Sequence, residues 1–347
     1  MSDNVISGPL QRLLAARLEA FQALFPGAPH FLLALSGGLD SVVLLHALQS
    51  LSSAGGFTLS AMHVNHGLSP HAYQWQTFCQ HLCARYQIPF YSKRVQVSLD
   101  SGLGIEAAAR EARYAALQFK RLQLTASALV TAHHVQDQSE TLLLQLMRGA
   151  GIKGLSAMAD WDASKSLLRP LLSVSRGDIL AYAQQHQLEW VEDESNGDHR
   201  FDRNFLRGSI LPALRQRYPQ MDQTLARSAQ HMAEAQGLLD VLAEQDLQQC
   251  DLRAEWMGQS LDIRQVQSLG MIRAKNMLRR WFSLRHLRMP NAEQLQDYWQ
   301  QLTTVKPQRY LHLPLQQQAL PERAFLHHYQ ARLYCVTQPP ALPEQPL

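Results

Sequence analysis

Cysteine is scarce in this chain, with four among 347 residues, at positions 79, 83, 250 and 335. Four scattered thiols do not make a disulfide framework, and their scarcity fits a reducing compartment. Long apolar runs are missing too. Stretches such as 31–35 and 42–45 fall far short of the roughly 20 apolar residues that span a bilayer, so no membrane partner is expected. Residues 1–9 hold Asp3 and Asn4 but no apolar core, so no export signal is expected there and a cytoplasmic location is. Neither sign of charge is in large excess, and a formal net charge of +3 does not by itself argue for nucleic acid. No Gly-x-x-x-x-Gly-Lys-Ser/Thr occurs, which excludes the phosphate loop of kinases and GTPases. Gly102-Leu103-Gly104-Ile105-Glu106-Ala107 imitates a dinucleotide fingerprint. However, no acid lies between Glu111 and Asp137 to hold a ribose, so those glycines read as a loop before a helix.

What is present is an ordinary core composition, 46% apolar and 18% charged, in a chain long enough for two domains. Leu10, Leu13, Leu14, Leu18 and Phe21 recur at helical spacing and stop at Pro26-Gly27. The continuous apolar run 31–35 reads as a buried parallel strand. Further strands at 57–64, 89–97 and 128–132 alternate with helices at 41–51, 72–86, 105–124 and 137–148. That alternation predicts an α/β fold with a doubly wound parallel sheet covered on both faces. Beyond Arg176 helices dominate, with Ser175 placed to cap one that runs to His186 and a long helical pattern over 220–249. The expected organisation is a nucleotide-binding catalytic domain over 1–217, then a smaller, mostly helical domain over 218–338. The latter carries short strand-like pieces at 310–313 and 332–336, and a Pro-rich tail follows over 339–347.

The chemistry starts at Ser36-Gly37-Gly38-Leu39-Asp40-Ser41, directly after the first strand and opening a helix. Paired glycines let backbone approach an anion and adopt positive φ. The free N–H groups of the helix start, backed by its dipole, then point at a phosphate. Ser36 and Ser41 add hydroxyl donors, and Asp40 can hold a metal ion riding on the phosphates. Further on, Asp137, Glu140, Thr141 and Arg148 share one helical face beside His133 and His134 at a strand end, with Leu142, Leu143 and Leu146 opposite. Glu106, Arg110 and Arg113 share another face. It reads equally as a charged wall for an amino acid or phosphate and as a local ion pair. Arg203 and Arg207 lie one turn apart near Arg200, Arg215 and Arg217, a guanidinium set suited to phosphate. Between Ile263 and Ala292 there are seven basic residues and no acid. There Arg273, Arg279 and Arg280 read as a phosphate-backbone footprint, while Trp281 and Phe282 fall on the core stripe. Cys79 and Cys83, four apart on a helix, read as core thiols.

Ser36-Gly37-Gly38-Leu39-Asp40-Ser41 resembles the PP-loop (SGGxDS) of the N-type ATP pyrophosphatases, which cleave ATP to AMP and pyrophosphate. Other segments resemble one branch of that superfamily, the bacterial tRNA(Ile)-lysidine synthetases. They are His63-Val64-Asn65-His66-Gly67-Leu68, Glu106 through Tyr114, Thr131-Ala132-His133-His134, Asp137-Gln138-Ser139-Glu140-Thr141, Arg148-Gly149, Glu192-Asp193-Glu194-Ser195-Asn196 and Arg203-Asn204-Phe205-Leu206-Arg207. The resemblance implies that a wobble-cytidine oxygen attacks the α-phosphate of ATP, with Mg²⁺, and that the ε-amine of free L-lysine then displaces AMP. The tRNA would be tRNA(Ile) with a CAU anticodon. It also implies that His63 and Asn65 contact the nucleotide and that Asp193 and Asn196 contact substrate. Asp137 or Glu140 would take the amine proton or grip the ammonium, and His133 with Arg203 or Arg207 would stabilise the charged intermediate.

This sequence departs from the family pattern at Gln136, where an acid is usual, and at Ser69, where Arg is usual. No further small C-terminal domain of the kind longer members carry is expected. A tRNA thiolase on the same fold and a non-catalytic tRNA-binding homologue are the rival readings. Whether two copies form a homodimer is left open.

Overall fold

The computed structural model describes residues 8–25, 27–52, 56–67, 69–96, 105–192, 202–256, 258–287, 289–304, 312–315 and 324–336. It divides into two compact units, residues 1–233 and 234–347. Gly102, Gly104, Asp193, Ser195, Asn196, Arg200 and the tail, all singled out in the sequence, fall outside the described residues.

The first unit is built around a six-stranded sheet of order β3-β2-β1-β4-β6-β5. Its strands are β1 (His30–Ala34), β2 (Thr58–Asn65), β3 (Phe90–Arg94), β4 (Ala128–Val130), β5 (Trp161–Asp162) and β6 (Leu167–Leu168). All neighbours pair parallel except β5 with β6, so the expected parallel sheet is present. Alternating side chains serve two cores. Phe31 and Leu33 face α1 (Pro9–Gln22), α2 (Leu39–Ser52), α3 (Ala72–Arg85) and α7 (Arg176–Gln185). Leu32, Met62, Leu129 and Leu167 face α4 (Ile105–Gln123) through Ala116 and Leu117. Because both faces are covered, β1 reads as an unbroken apolar run; Phe31, Leu32 and Leu33 are fully buried. Truncating such a leucine to alanine costs about 2–5 kcal/mol.

The strand order fixes where ligands can bind. From β1 the chain moves outward to β2 and β3, then returns to lay β4 on the other side of β1. The loops leaving the carboxyl ends of β1 and β4 therefore diverge and open a crevice at this switch point. The first loop leads into α2 and the second into α5 (Val135–Met147). The first unit also contains α6 (Ile152–Leu155), α8 (Asp202–Phe205) and α9 (Leu211–Arg217), and α10 (Met221–Gln249) runs across the division between units.

In the second unit the strand-like pieces belong to a five-stranded antiparallel sheet of order β7-β8-β11-β10-β9. These strands are β7 (Arg253–Glu255), β8 (Gly258–Asp262), β9 (His312–Leu315), β10 (Ala324–Tyr329) and β11 (Arg332–Val336). The helices are α11 (Ile263–Ser268), α12 (Gly270–Leu284) and α13 (Ala292–Thr304). The apolar stripe of α12, including Trp281 and Phe282, packs on Leu261, Leu295, Leu326 and Leu333, as its spacing predicts. No helix among the described residues is long and apolar enough to cross a membrane.

Candidate active site

The loop after β1 closes on its own hydroxyls. The amide of Gly37 donates to Ser41 Oγ at 3.2 Å, and the amide of Gly38 to Ser36 Oγ at 3.3 Å. Ser41 Oγ lies 3.0 Å from Ser36 Oγ and donates to the Gly38 carbonyl at 3.0 Å. Only one of the paired glycines uses positive φ: Gly37, at +91°. A Cβ there would lie 2.9 Å from Val191 Cγ2 and 3.1 Å from Cys79 Sγ, whereas one on Gly38 would meet nothing closer than 3.5 Å. The loop is braced from both sides. The Val191 amide donates to the Gly37 carbonyl at 2.9 Å, and His63 Nδ1 bonds the Leu35 carbonyl at 2.9 Å. The first helical bond of α2 runs from the Val42 amide to the Gly38 carbonyl. The preceding amides of Leu39, Asp40 and Ser41 therefore form an open helix start, able to receive an anion.

The loop after β4 meets it through a histidine cap. His134 Nδ1 accepts the amide of Gln136 at 3.2 Å, while Asp137 Oδ2 accepts the amide of His134 at 3.0 Å. This is a capping box in which His and Asp replace the usual hydroxyl and Glu. Because Nδ1 is an acceptor, the proton of the neutral ring sits on Nε2. That atom lies 3.7 Å from Asp40 Oδ2 and 3.6 Å from Asp137 Oδ2. The two acids differ in state. Burial pushes the Asp40 carboxyl above its ordinary value, with Asp137 adding to the shift and His134 opposing it. Burial acts the same way on Asp137, but His134, His133, the His134 amide and Arg203 outweigh it and hold that carboxyl below its ordinary value. Asp40 Oδ1 is buried with no hydrogen-bond partner.

Glu140, one turn further along α5, is 1% exposed and fully engaged. Arg207 grips it with Nε–Oε1 at 2.7 Å and Nη2–Oε2 at 2.8 Å. Arg207 Nη2 also reaches Asp137 Oδ1 at 3.4 Å. Arg203 Nε approaches Glu140 Oε2 at 3.3 Å, and its Nη2 donates to Thr141 at 2.9 Å. Both arginines come from one irregular helix, α8 followed by a π-turn at Leu206–Ile210 and then α9. Pro212 has no amide to offer the carbonyl four residues back, so the helix widens there.

Asp137 and Glu140 of the charged face of α5 are thus buried, while Arg148 of the same face is exposed and Leu146 and Met147, at 51% and 73% exposed, lie on the outside. Of the three leucines read as opposite that face, Leu142 is buried, Leu143 half-buried and Leu146 exposed. His133 bonds the Thr131 hydroxyl through Nδ1 at 2.8 Å. Burial pushes its pKa down to about 3, with Asp137 opposing and Arg110, Arg169 and Arg203 adding to the depression, so the ring is neutral.

A PP-loop domain model matches residues 10–214, more than half of the chain, and a TilS substrate binding domain model matches residues 261–334. Over 323 residues the chain is 44% identical to tRNA(Ile)-lysidine synthase of Pectobacterium atrosepticum, covering 92% of this chain and 70% of that protein. The chain belongs to the tRNA(Ile)-lysidine synthase family. The protein of the same name from Coxiella burnetii is 47% identical over 270 residues, or 77% of this chain and 59% of its own length. The chain thus spans 59% and 70% of the lengths of these two relatives. Among solved structures, the U34-tRNA thiolase NcsA from Methanococcus maripaludis aligns with a TM-score of 0.55 at 16% identity, over 65% of this chain and 78% of that one. That likeness concerns the fold alone.

The other residues expected to serve the family's chemistry are differently placed. His63, near the end of β2, braces the loop, and Asn65 at that end holds its own following turn. His63 is bonded to Leu35, and Asn65 Oδ1 accepts the Gly67 amide at 2.8 Å. Arg110 and Arg113 lie 5.1 and 5.8 Å from the ring centre of Tyr114, while the side chain of Glu106 is outside the described residues. Arg215 is held by Asp222 at 2.8 and 3.1 Å. In the second unit Arg273 pairs with Asp246, and Arg280 with Asp240 and Glu244. Arg279 makes no ion pair among the described residues and is exposed. The four cysteines are buried; burial pushes the Cys79 and Cys83 thiols up to about 12, which suits core packing and not thiol chemistry.

Two residues escaped the sequence reading: Val191, which latches Gly37, and Arg169, which follows β6. Both follow segments too short or too plain to flag. His134 was singled out in the His-His pair, but not as the join between the two loops.

Proposed function

We propose that this protein uses ATP to ligate free L-lysine to C2 of the wobble cytidine in tRNA(Ile) with a CAU anticodon, releasing AMP and pyrophosphate. The observation that carries the reading is the join between two loops, in which His134 stands between Asp40 of the phosphate loop and Asp137 of the acid cluster. The phosphate cradle and the acid–arginine cluster are thereby held side by side, as a two-step adenylation and displacement requires.

In this reading the open amides at the start of α2 and the hydroxyls of Ser36 and Ser41 receive the triphosphate. Asp40 fits Mg²⁺: its Oδ1 is a buried carboxylate oxygen with no partner, the hard oxygen that Mg²⁺ takes alongside phosphates and water. When bound, Mg²⁺ would neutralise charge on the departing pyrophosphate. His134, with Nε2 at 3.7 and 3.6 Å from the two carboxylates, offsets part of the repulsion between Asp40 and Asp137 across the crevice.

The attacking ε-amine must be neutral, so a carboxylate has to accept its proton. Glu140 has both oxygens committed to Arg207 and Arg203, and its role is to fix those guanidinium groups. Asp137 keeps weaker, longer contacts on Oδ1 and stays ionised, so it is assigned the proton. Arg203, Arg207 and neutral His133 stabilise the adenylated intermediate. Asp193 and Asn196 remain candidate substrate contacts on family resemblance, and Arg279 a candidate tRNA contact.

The test is incubation with ATP, labelled lysine and anticodon-CAU tRNA. Label should enter the tRNA with one AMP released per lysine. AMP release without transfer of label, or no turnover of ATP with tRNA present, would refute the assignment.

A further inference from the structure

Arg169 is out of place by ordinary rules. It is 6% exposed, and buried cations are found with counter-charges or full hydrogen bonding because desolvation is costly. Among the described residues it makes no ion pair. Nη1 donates to the Ala159 carbonyl at 2.6 Å, and Nε is buried with no partner. Asp162 and Asp160 act on it electrostatically but form their ion pairs elsewhere, Asp160 with Arg17 at 3.7 Å and Asp162 with Lys165 at 3.4 Å.

Its setting is rigid and lies at the active edge. β6 runs parallel beside β4, with Val130 opposite Leu168 and the Thr131 amide donating to the Leu168 carbonyl at 3.0 Å. Arg169 therefore leaves the sheet next to the Thr131–His133 turn. Its own amide is fixed to the Asp160 carbonyl at 2.8 Å, and Arg17 holds the next carbonyl, Pro170, at 2.8 Å. Arg110 is a second cation without an ion pair among the described residues, set over Tyr114 at 5.1 Å. His133 has Asp137 acting on it with one sign, and Arg110 and Arg169 with the other.

We propose that Arg169, with Arg110, is a carboxylate-binding site that receives the α-carboxylate of the amino-acid substrate. This rests on the lysine-ligating reading above. The charge layout matches such a substrate. His133 is within electrostatic reach of Asp137, where a remote amine must lose its proton, and of two guanidinium groups without an ion pair among the described residues. Arg169 is the specificity residue, because its planar fork is locked before the substrate arrives.

The experiment compares L-lysine with 1,5-diaminopentane, which keeps the chain and amine but has no carboxylate, in wild-type protein and in Arg169→Met and Arg169→Lys. Wild type should prefer lysine. R169M should raise KM for lysine on the order of 10- to 100-fold, the loss of a charge-assisted hydrogen bond. Its KM for diaminopentane, its tRNA affinity and its lysine-independent pyrophosphate release should stay within about threefold of wild type. R169K should recover part of the preference, and Arg110→Met should weaken it independently. Equal losses toward both amines together with a lowered Tm would make Arg169 a mere brace for the Ala159 turn, and a selective loss of tRNA affinity would make it an RNA-phosphate contact; either overturns the site. Failure of wild type to incorporate lysine would instead overturn the reading on which the site rests.

Discussion

Two arginine-rich regions of this molecule look alike in sequence and differ in structure. On α12, Arg273 and Arg280 are matched by Asp246, Asp240 and Glu244 of α10, so two cations of the basic run are neutralised where they lie. At the carboxyl edge of the sheet the charges also cluster, yet valences are left over. They are Asp40 Oδ1 and Arg169 Nε. A folded chain seldom leaves buried polar atoms unpaired unless something else completes them. Counting charges along a sequence cannot separate these cases. Asking which of the charges still lack a partner can.

The largest effects should come from breaking the edge cluster. Glu140→Ala strands Arg203 and Arg207 around an empty site. Lysine transfer should fall by about a thousandfold or more, and stability by about 3 kcal/mol, because one side of a buried pair is removed. Asp40→Asn should abolish transfer equally but move stability the other way. Its carboxyl is held above the ordinary value by burial, so above that raised pKa the folded state bears a cost that Asn removes. Tm at pH 8 should rise. A drop in Tm with Asp40→Asn would show that its charge is already satisfied.

Next in size is the loop itself. Gly37→Ala forces a side chain into φ +91° and against Val191 and Cys79, at about 1–3 kcal/mol for the backbone alone. Gly38→Ala has room in the folded chain, so its Tm should change little while KM for ATP rises. Equal Tm losses in the two variants would mean the loop is not latched as described.

Much of this was legible beforehand. The Ser-Gly-Gly-Leu-Asp-Ser spacing after an unbroken apolar strand located the cradle, and the strand–helix alternation gave the sheet. The partners of Arg273 and Arg280 were not legible because they lie 27 to 40 residues away, on a helix whose facing surface only packing reveals. Arg169 was missed because β5 and β6 are two residues each, too short for any period to register. His134 was visible, but its capping role was not, since histidine is outside the usual set of N-cap residues.

The contrast between the two regions sharpens at Arg279. This residue has no ion pair among the described residues, so Arg279→Ala should weaken tRNA binding and flatten its salt dependence by just under one unit of slope for each phosphate the guanidinium neutralises. Arg280→Ala should leave tRNA binding nearly unchanged and lower Tm slightly, as a partly exposed pair is worth about 1 kcal/mol or less. Binding losses of similar size in both variants would restore the whole run as a footprint.

A further effect is expected on the pH dependence of stability. His133 has its pKa lowered to about 3 from an ordinary 6.5. Between those values the unfolded chain binds a proton that the folded chain refuses, so stability is full above 6.5 and is lost as pH falls toward 3. His46 and His63 are also lowered by burial and act with the same sign. Asp40, raised, acts against them, because folding favours its protonated form. Asp137, lowered, contributes only as pH drops below its ordinary 3.8. Over pH 6 to 4, then, His133→Gln should flatten the fall of stability without removing it, by up to roughly 1.4 kcal/mol per pH unit. Denaturant midpoints taken across that range decide it. Parallel curves for the variant and the wild type would mean that His133 is hydrated enough to titrate normally, and the neutral ring assigned to the intermediate's cradle would have to be given up.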